Sequence, residues 1–153
     1  MKKPGFFVAA LLSAAAAASA NETLQVATES LNVRSGPGTG YAILGVVGSG
    51  QKYVGIATSG SWKKVWYGTG TGWVHASYVV STGGARAKTT TALNVRTGPG
   101  TDYDVAAIAP SGAWWVLLQS TGAWQQIWFA GALRWVHGSY LSTNLYNPEA
   151  LPT

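Results

Sequence analysis

The stretch Leu31-Asn32-Val33-Arg34-Ser35-Gly36-Pro37-Gly38-Thr39-Gly40-Tyr41 returns as Leu93-Asn94-Val95-Arg96-Thr97-Gly98-Pro99-Gly100-Thr101-Asp102-Tyr103, an offset of 62 residues. The offset holds without a gap through Trp62/Trp124, Trp66/Trp128, Trp73/Trp135, His75/His137 and Tyr78/Tyr140. From Leu31 to Val79, 20 of 49 positions are identical to their counterparts. An ungapped match of this extent marks a tandem duplication, and 153 residues leave room for two small domains.

Each unit reads as short strands and turns. In Leu31 to Arg34 the apolar residues alternate with Asn and Arg, so one side faces a core and the other faces out. Ser35-Gly36-Pro37-Gly38 is a turn in which Pro presets φ and the following Gly permits a positive φ. Ile43 to Val47, Tyr53 to Ile56, Trp62 to Tyr67 and Trp73 to His75 are β-like, and Gly68 to Gly72 is a hairpin connection. Ala76-Ser77-Tyr78 is a tight turn. About five short strands per unit suit a small closed barrel, which leaves no exposed sheet edge. Helical periodicity is missing.

Composition agrees and excludes several functions. Eight Trp, seven Tyr and 20 Gly stand against only 10% charged residues, which favours an all-β chain over a disordered one. Cysteine is absent, so disulfides, thiol nucleophiles and thiolate metal sites are excluded. Lys2 and Lys3 precede an apolar run from Phe6, and Ala18-Ser19-Ala20 forms a small-x-small cleavage site. That order is a secretory signal peptide over residues 1–20, too short and too rich in Ala for a membrane span. Removing its two lysines lowers the formal charge from +5 to +3. Export places the protein in the periplasm or outside the cell, and disfavours nucleic acid and nucleotide cofactors as partners. The expected organisation is a first barrel over 22–81, a linker over 82–87, a second barrel over 88–143 and an extended tail over 144–153. The mature chain has no membrane span.

Three ordered signatures, each present twice, resemble the bacterial SH3-type domain. They are Leu-Asn-Val-Arg-x-Gly-Pro-Gly-Thr-x-Tyr, then Gly-x-Trp-x-x-Val/Ile at Gly60 to Val65 and Gly122 to Ile127, then Trp-Val-x-x-x-Tyr-Val/Leu at Trp73 to Val79 and Trp135 to Leu141. The resemblance implies two tandem SH3-like β-barrels and a non-catalytic module of the kind attached to cell-wall hydrolases. It further implies binding of peptidoglycan or its peptides. The chain itself shows no hydrolase domain.

Catalytic chemistry finds no support in the residues. Asp102 and Asp104 flank Tyr103, but the first repeat has Gly40 and Ala42 there, so loop polarity accounts for them. His75 and His137 occur once per repeat, without further ligands at metal spacing. No catalytic residue, metal or cofactor is expected.

Aromatic placement points to binding. Strict alternation puts Trp62, Lys64 and Trp66 on one face and Val65 on the other, and likewise Trp124, Gln126 and Trp128 opposite Ile127. A barrel of about 55 residues buries only about 60% of its unfolded surface, so both indoles of a pair cannot easily be hidden. One of each pair is expected to be structural; Trp62 and Trp124, just after a loop, are the ligand candidates, and Trp73 and Trp135 the packing residues. Resemblance to SH3-type barrels adds Tyr78 and Tyr140 in the last turn, with His75 and His137 beside them. Tyr41 and Tyr103 are candidates for the opposite wall, with burial an equal alternative. Asn32, Arg34, Asn94 and Arg96 are read as braces of the Gly-Pro-Gly loop. From Leu31 to Val79 repeat one carries Arg34, Lys52, Lys63 and Lys64 without an acid, whereas from Leu93 to Leu141 repeat two balances Arg96 and Arg134 with Asp102 and Asp104. Lys64 is therefore counted with the first groove, which suits carboxylate-bearing stem peptides. The leading reading is an exported module binding peptidoglycan through one aromatic groove per barrel. The alternative is a protein–protein interaction module, an adaptor, or an inhibitor or immunity factor of a secreted enzyme, carried by the run Trp114 to Leu118 if it is exposed.

Overall fold

The computed structural model describes residues 21–143; the signal peptide and the extended tail read from the sequence lie outside the described residues. The first repeat contains β1 (Glu22–Val26), β2 (Leu31–Arg34), β3 (Ile43–Val47), β4 (Lys52–Ser59), β5 (Trp62–Trp66), β6 (Thr71–His75) and β7 (Val79–Ser81). The second contains β8 (Arg86–Thr89), β9 (Leu93–Arg96), β10 (Val105–Ala109), β11 (Trp114–Val116), β12 (Gln119–Thr121), β13 (Trp124–Phe129), β14 (Ala132–His137) and β15 (Leu141–Ser142). A single 3₁₀ turn precedes the last strand of each, at Ala76–Tyr78 and Gly138–Tyr140. The fold is all-β, as the alternating pattern requires.

The first seven strands form one antiparallel sheet in the order β3-β2-β6-β5-β4-β1-β7. Leu31 and Val33 are buried while Asn32 and Arg34 are half-exposed, so the two-residue alternation places the core on one face. Leu24, Val26, Val33, Val47, Val65 and Val74 fill that core. The second repeat splits the same arrangement into two sheets, β10-β9-β14-β13-β12 and β11-β8-β15. The split falls where the copies differ. A Cβ on Gly55 would come within 2.7 Å of Leu24, so glycine lets β4 run past β1 unbroken. Leu117 stands at the equivalent position, packs its side chain against the second core, and separates β11 from β12.

Three expectations change on contact with the structure. Gly38 does not adopt a positive φ. The glycine that matters in this loop is Gly36, because a Cβ there would sit 2.3 Å from the Tyr41 ring. Arg86 and Ala87, read as linker, already pair with Val116 and Trp115, because Ala87 is a fully buried core residue of the second barrel. Within the run Trp114 to Leu118, Trp115 and Val116 are buried; the Trp115 ring stacks on Phe129 at 5.1 Å and replaces the smaller Tyr53 of the first barrel.

Candidate functional site

A cleft of about 330 Å³ opens on the first barrel and one of about 580 Å³ on the second. Both are built from the same parts. Trp62 at the start of β5 pairs in register with His75 at the end of β6, and Trp124 pairs with His137. Cross-strand partners point the same way, so each indole meets its imidazole edge-on, with centroids 5.2 Å apart in both barrels. Tyr78 follows His75 at 5.6 Å, and Tyr140 follows His137 at 5.7 Å. These tyrosines are about half exposed, at 49% and 48%. Trp62 and Trp124 are only partly covered. A row of three aromatic rings, the tyrosine half-exposed and the other two partly so, is thus reproduced in two copies.

The histidine has a structural task as well. His75 caps the 3₁₀ turn, its Nδ1 accepting the Ser77 N–H at 3.1 Å. His137 does the same for Ser139. With Nδ1 an acceptor, the neutral ring carries its proton on Nε2, so each histidine keeps one donor besides the cap. The turn is tied to the loop before the tryptophan by Ala76 N–H to Ser61 O and Gly138 N–H to Ala123 O, each 2.7 Å. One short element therefore fixes all three rings.

The opposite bank is the Gly-Pro-Gly loop. Arg34 Nη1 donates to Thr39 O and Tyr41 O, both at 3.0 Å, and Arg96 makes the same pair of bonds to Thr101 O and Tyr103 O. The arginines brace the loop as the sequence suggests. Both arginines also line the clefts, together with Asn32 and Asn94, which were read with them as braces, and with Leu31, Thr39 and their counterparts Leu93 and Thr101. Sequence reasoning missed these as site residues; for Asn32 and Asn94 the available signal was their outward register on β2 and β9. Tyr41 and Tyr103 lie against the loop glycines and are not among the cleft-lining residues.

Lys64 occupies the next row of the sheet. It pairs with Trp73, itself paired with Arg34, and its Nζ lies 5.9 Å from the Trp73 ring centroid. The second barrel has Gln126, Trp135 and Arg96 in that row. Lys63, on the opposite side of β5, is engaged by Glu22 at 2.8 Å. Trp66 and Trp128 are not in the clefts; each packs against the other barrel's core. Among the described residues, no carboxylate lines either cleft, no group of three metal-ligating side chains occurs, and no helix is long and apolar enough to cross a membrane.

Comparison with known proteins matches this architecture. The bacterial SH3 domain family matches residues 29–80 and again 91–142, more than half of the chain. The putative N-acetylmuramoyl-L-alanine amidase YrvJ of Bacillus subtilis (strain 168) is 32% identical over 129 residues. That alignment covers 77% of this chain and 25% of the relative, so the chain spans about a quarter of that protein. Among solved structures, NlpC2 from Trichomonas vaginalis aligns over 87% of this chain and 51% of its own, with TM-score 0.37 and 12% identity. An NlpC/P60 family protein from Bacillus cereus aligns over 78% and 55%, with TM-score 0.34 and 9% identity. Similarity of that degree adds nothing to the assignment, which rests on the two domain matches. The chain belongs to the bacterial SH3 domain family and carries the domain twice in tandem.

Proposed function

We propose that this chain is an exported, non-enzymatic module that binds peptidoglycan or its stem peptides through the aromatic cleft of each barrel. The observation that carries the reading is the Trp–His–Tyr row, present twice at matching distances beside an open cleft. Flat rings offer faces to sugar rings and peptide planes, while the histidine, tyrosine and asparagine supply hydrogen bonds that set orientation. The clefts hold donors and ring faces but no carboxylate, which supports recognition without bond cleavage. Membership of the bacterial SH3 family and the likeness to a chain named as a muramoyl-alanine amidase support a wall ligand.

The test is co-sedimentation with purified sacculi. Wild type pellets with them; Trp62→Ala combined with Trp124→Ala stays in the supernatant while circular dichroism still reports folded barrels. Tyr78→Ala with Tyr140→Ala, which removes half-exposed rings, provides a second route to the same loss. Unchanged sedimentation of both folded double variants rejects the clefts as the site.

The protein-interaction reading loses its first support, since Trp115 and Val116 are interior. It retains another: Ile43, Leu44 and Val46 on edge strand β3 are each about half exposed. Loss of a retained periplasmic protein on Val46→Lys, with sacculus binding unaffected, would favour it.

A further inference from the structure

The two barrels exchange tryptophans. Trp66 ends β5 of the first barrel and packs against the second core; Trp128, its counterpart in β13, packs against the first. Equivalent residues make reciprocal contacts, the pattern of an isologous interface within one chain. An indole has on the order of 200 Å² to remove from water, so separating the barrels would expose two of the largest apolar groups present.

Directional bonds fix the same contact. Gly131 N–H donates to the Tyr53 hydroxyl at 2.9 Å, and that hydroxyl donates to Gln51 Oε1 at 2.6 Å. Ala130 N–H donates to Tyr67 O across the interface. Ala130 has φ 49, a left-handed conformation that a residue with a Cβ rarely takes, and it takes it where the two hairpins meet. The connection is also tied down. Thr23 Oγ1 donates to Gly84 O at 3.2 Å and accepts from Arg86 Nη1 at 3.0 Å. A Cβ on Gly68 would stand 3.1 Å from the Ala130 Cβ, so the hairpins leave no slack.

We infer that the tandem is one rigid bivalent receptor, whose two clefts are held at a single separation and angle by the Trp66/Trp128 exchange, and that it selects a polymer presenting binding elements at that fixed spacing. The inference rests on the clefts being the binding sites proposed above. It adds that their geometry is set by the docked faces, with the connection pinned to them, and not by the length of a free tether. A rigid link gives the second cleft a high effective concentration for a ligand of matching repeat and almost none for other spacings, which separates this receptor from two tethered independent modules.

The chain lacks cysteine, so paired labels are simple to place. Thr58→Cys and Ser120→Cys are exposed, equivalent positions, one on each barrel. A spin-label distance distribution on the full chain is expected to be narrow. Gly68→Glu, which drives a side chain into the hairpin contact without touching either cleft, is expected to broaden it. Binding of each protein to a monomeric disaccharide muropeptide and to intact sacculi is then compared. The expected result is equal muropeptide affinity, within about twofold, and sacculus affinity reduced tenfold or more in the wedge variant. Should Gly68→Glu lose its folded near-ultraviolet signature, Trp66→Gln with Trp128→Gln opens the same contact from the other side. A broad distribution in the wild type overturns the rigid coupling. So does full sacculus affinity in an opened, folded variant. A wild type that binds neither probe overturns the wall-binding reading instead, while the distances judge the coupling without any ligand.

Discussion

Nδ1 of His75 accepts the backbone N–H of Ser77 at 3.1 Å, and His137 and Ser139 repeat the bond at the same length. The histidine thus belongs both to the turn and to the cleft. Replacing it separates the two roles. His75→Leu removes the cap and is expected to cost about 1 kcal/mol, the usual worth of an N-cap. His75→Asn supplies a capping oxygen and recovers most of that stability, yet it offers no ring to Trp62. Urea unfolding reads the first effect and sacculus sedimentation the second. Equal stability of the Leu and Asn variants would show that the cap contributes nothing.

The Tyr41 ring lies on Gly36, where a Cβ would meet three ring carbons at 2.3 to 2.5 Å; Tyr103 lies on Gly98 in the same way. Gly36→Ala must therefore displace the ring or the loop, and overpacking of this kind costs about 1–3 kcal/mol. Gly40→Ala is the control, since nothing lies within 4 Å of its Cβ. The double change Gly36→Ala with Tyr41→Ala removes the clash and regains part of the loss, as measured by thermal unfolding. A Gly36→Ala protein as stable as the Gly40→Ala protein would mean that the ring yields without cost.

The strands, the duplication and the outward Trp62 are legible in the chain because they rest on alternation and on recurrence. His75 and Tyr78 are readable as cleft residues only through the resemblance to SH3-type barrels. The partner of Trp66 is not readable. Alternation says that it faces away from Val65, but a pattern of two within one strand carries no information about a second barrel 62 residues away. The same limit explains Tyr41. Its position after the loop is visible, while its packing on Gly36 depends on a loop conformation that Pro and Gly permit without dictating. The cap by His75 escaped notice because histidine is not among the residues that usually announce a cap.

Tyr53 makes the chain sensitive to alkali. Burial raises its phenol well above the ordinary 10.0, the Gly131 N–H opposes this, and the neighbouring Tyr67 adds to it. Burial raises Tyr67 as well. A raised phenol keeps its proton in the folded chain after the unfolded chain has lost it. The stability it contributes is complete below about pH 10 and declines as pH rises beyond that value. Tyr53→Phe is expected to flatten this decline in denaturant unfolding between neutral and strongly alkaline pH. Because it also deprives Gly131 of its acceptor, it should lower stability by about 1 kcal/mol at neutral pH. An alkaline slope unchanged by the substitution would assign it to other groups.

Two adjacent lysines make opposite predictions about the ligand. Lys63 is held by Glu22 at 2.8 Å on the opposite side of β5 from Trp62, whereas Lys64 stands over Trp73 on the same side as Trp62, one row away from the cleft-lining residues. The second barrel replaces both with glutamine, at Gln125 and Gln126. Lys64→Gln therefore gives the first barrel the row that the second already has. If the first cleft meets carboxylate-bearing stem peptides, this change weakens muropeptide binding several-fold at low salt and reduces its salt dependence, because a partly exposed charge is still screened over about 10 Å at 0.1 M. Lys63→Gln releases Glu22 and leaves muropeptide binding as it was. Titration of both variants at two salt concentrations separates them. Equal losses would mean that net charge, not the position above Trp73, sets the preference for an anionic ligand.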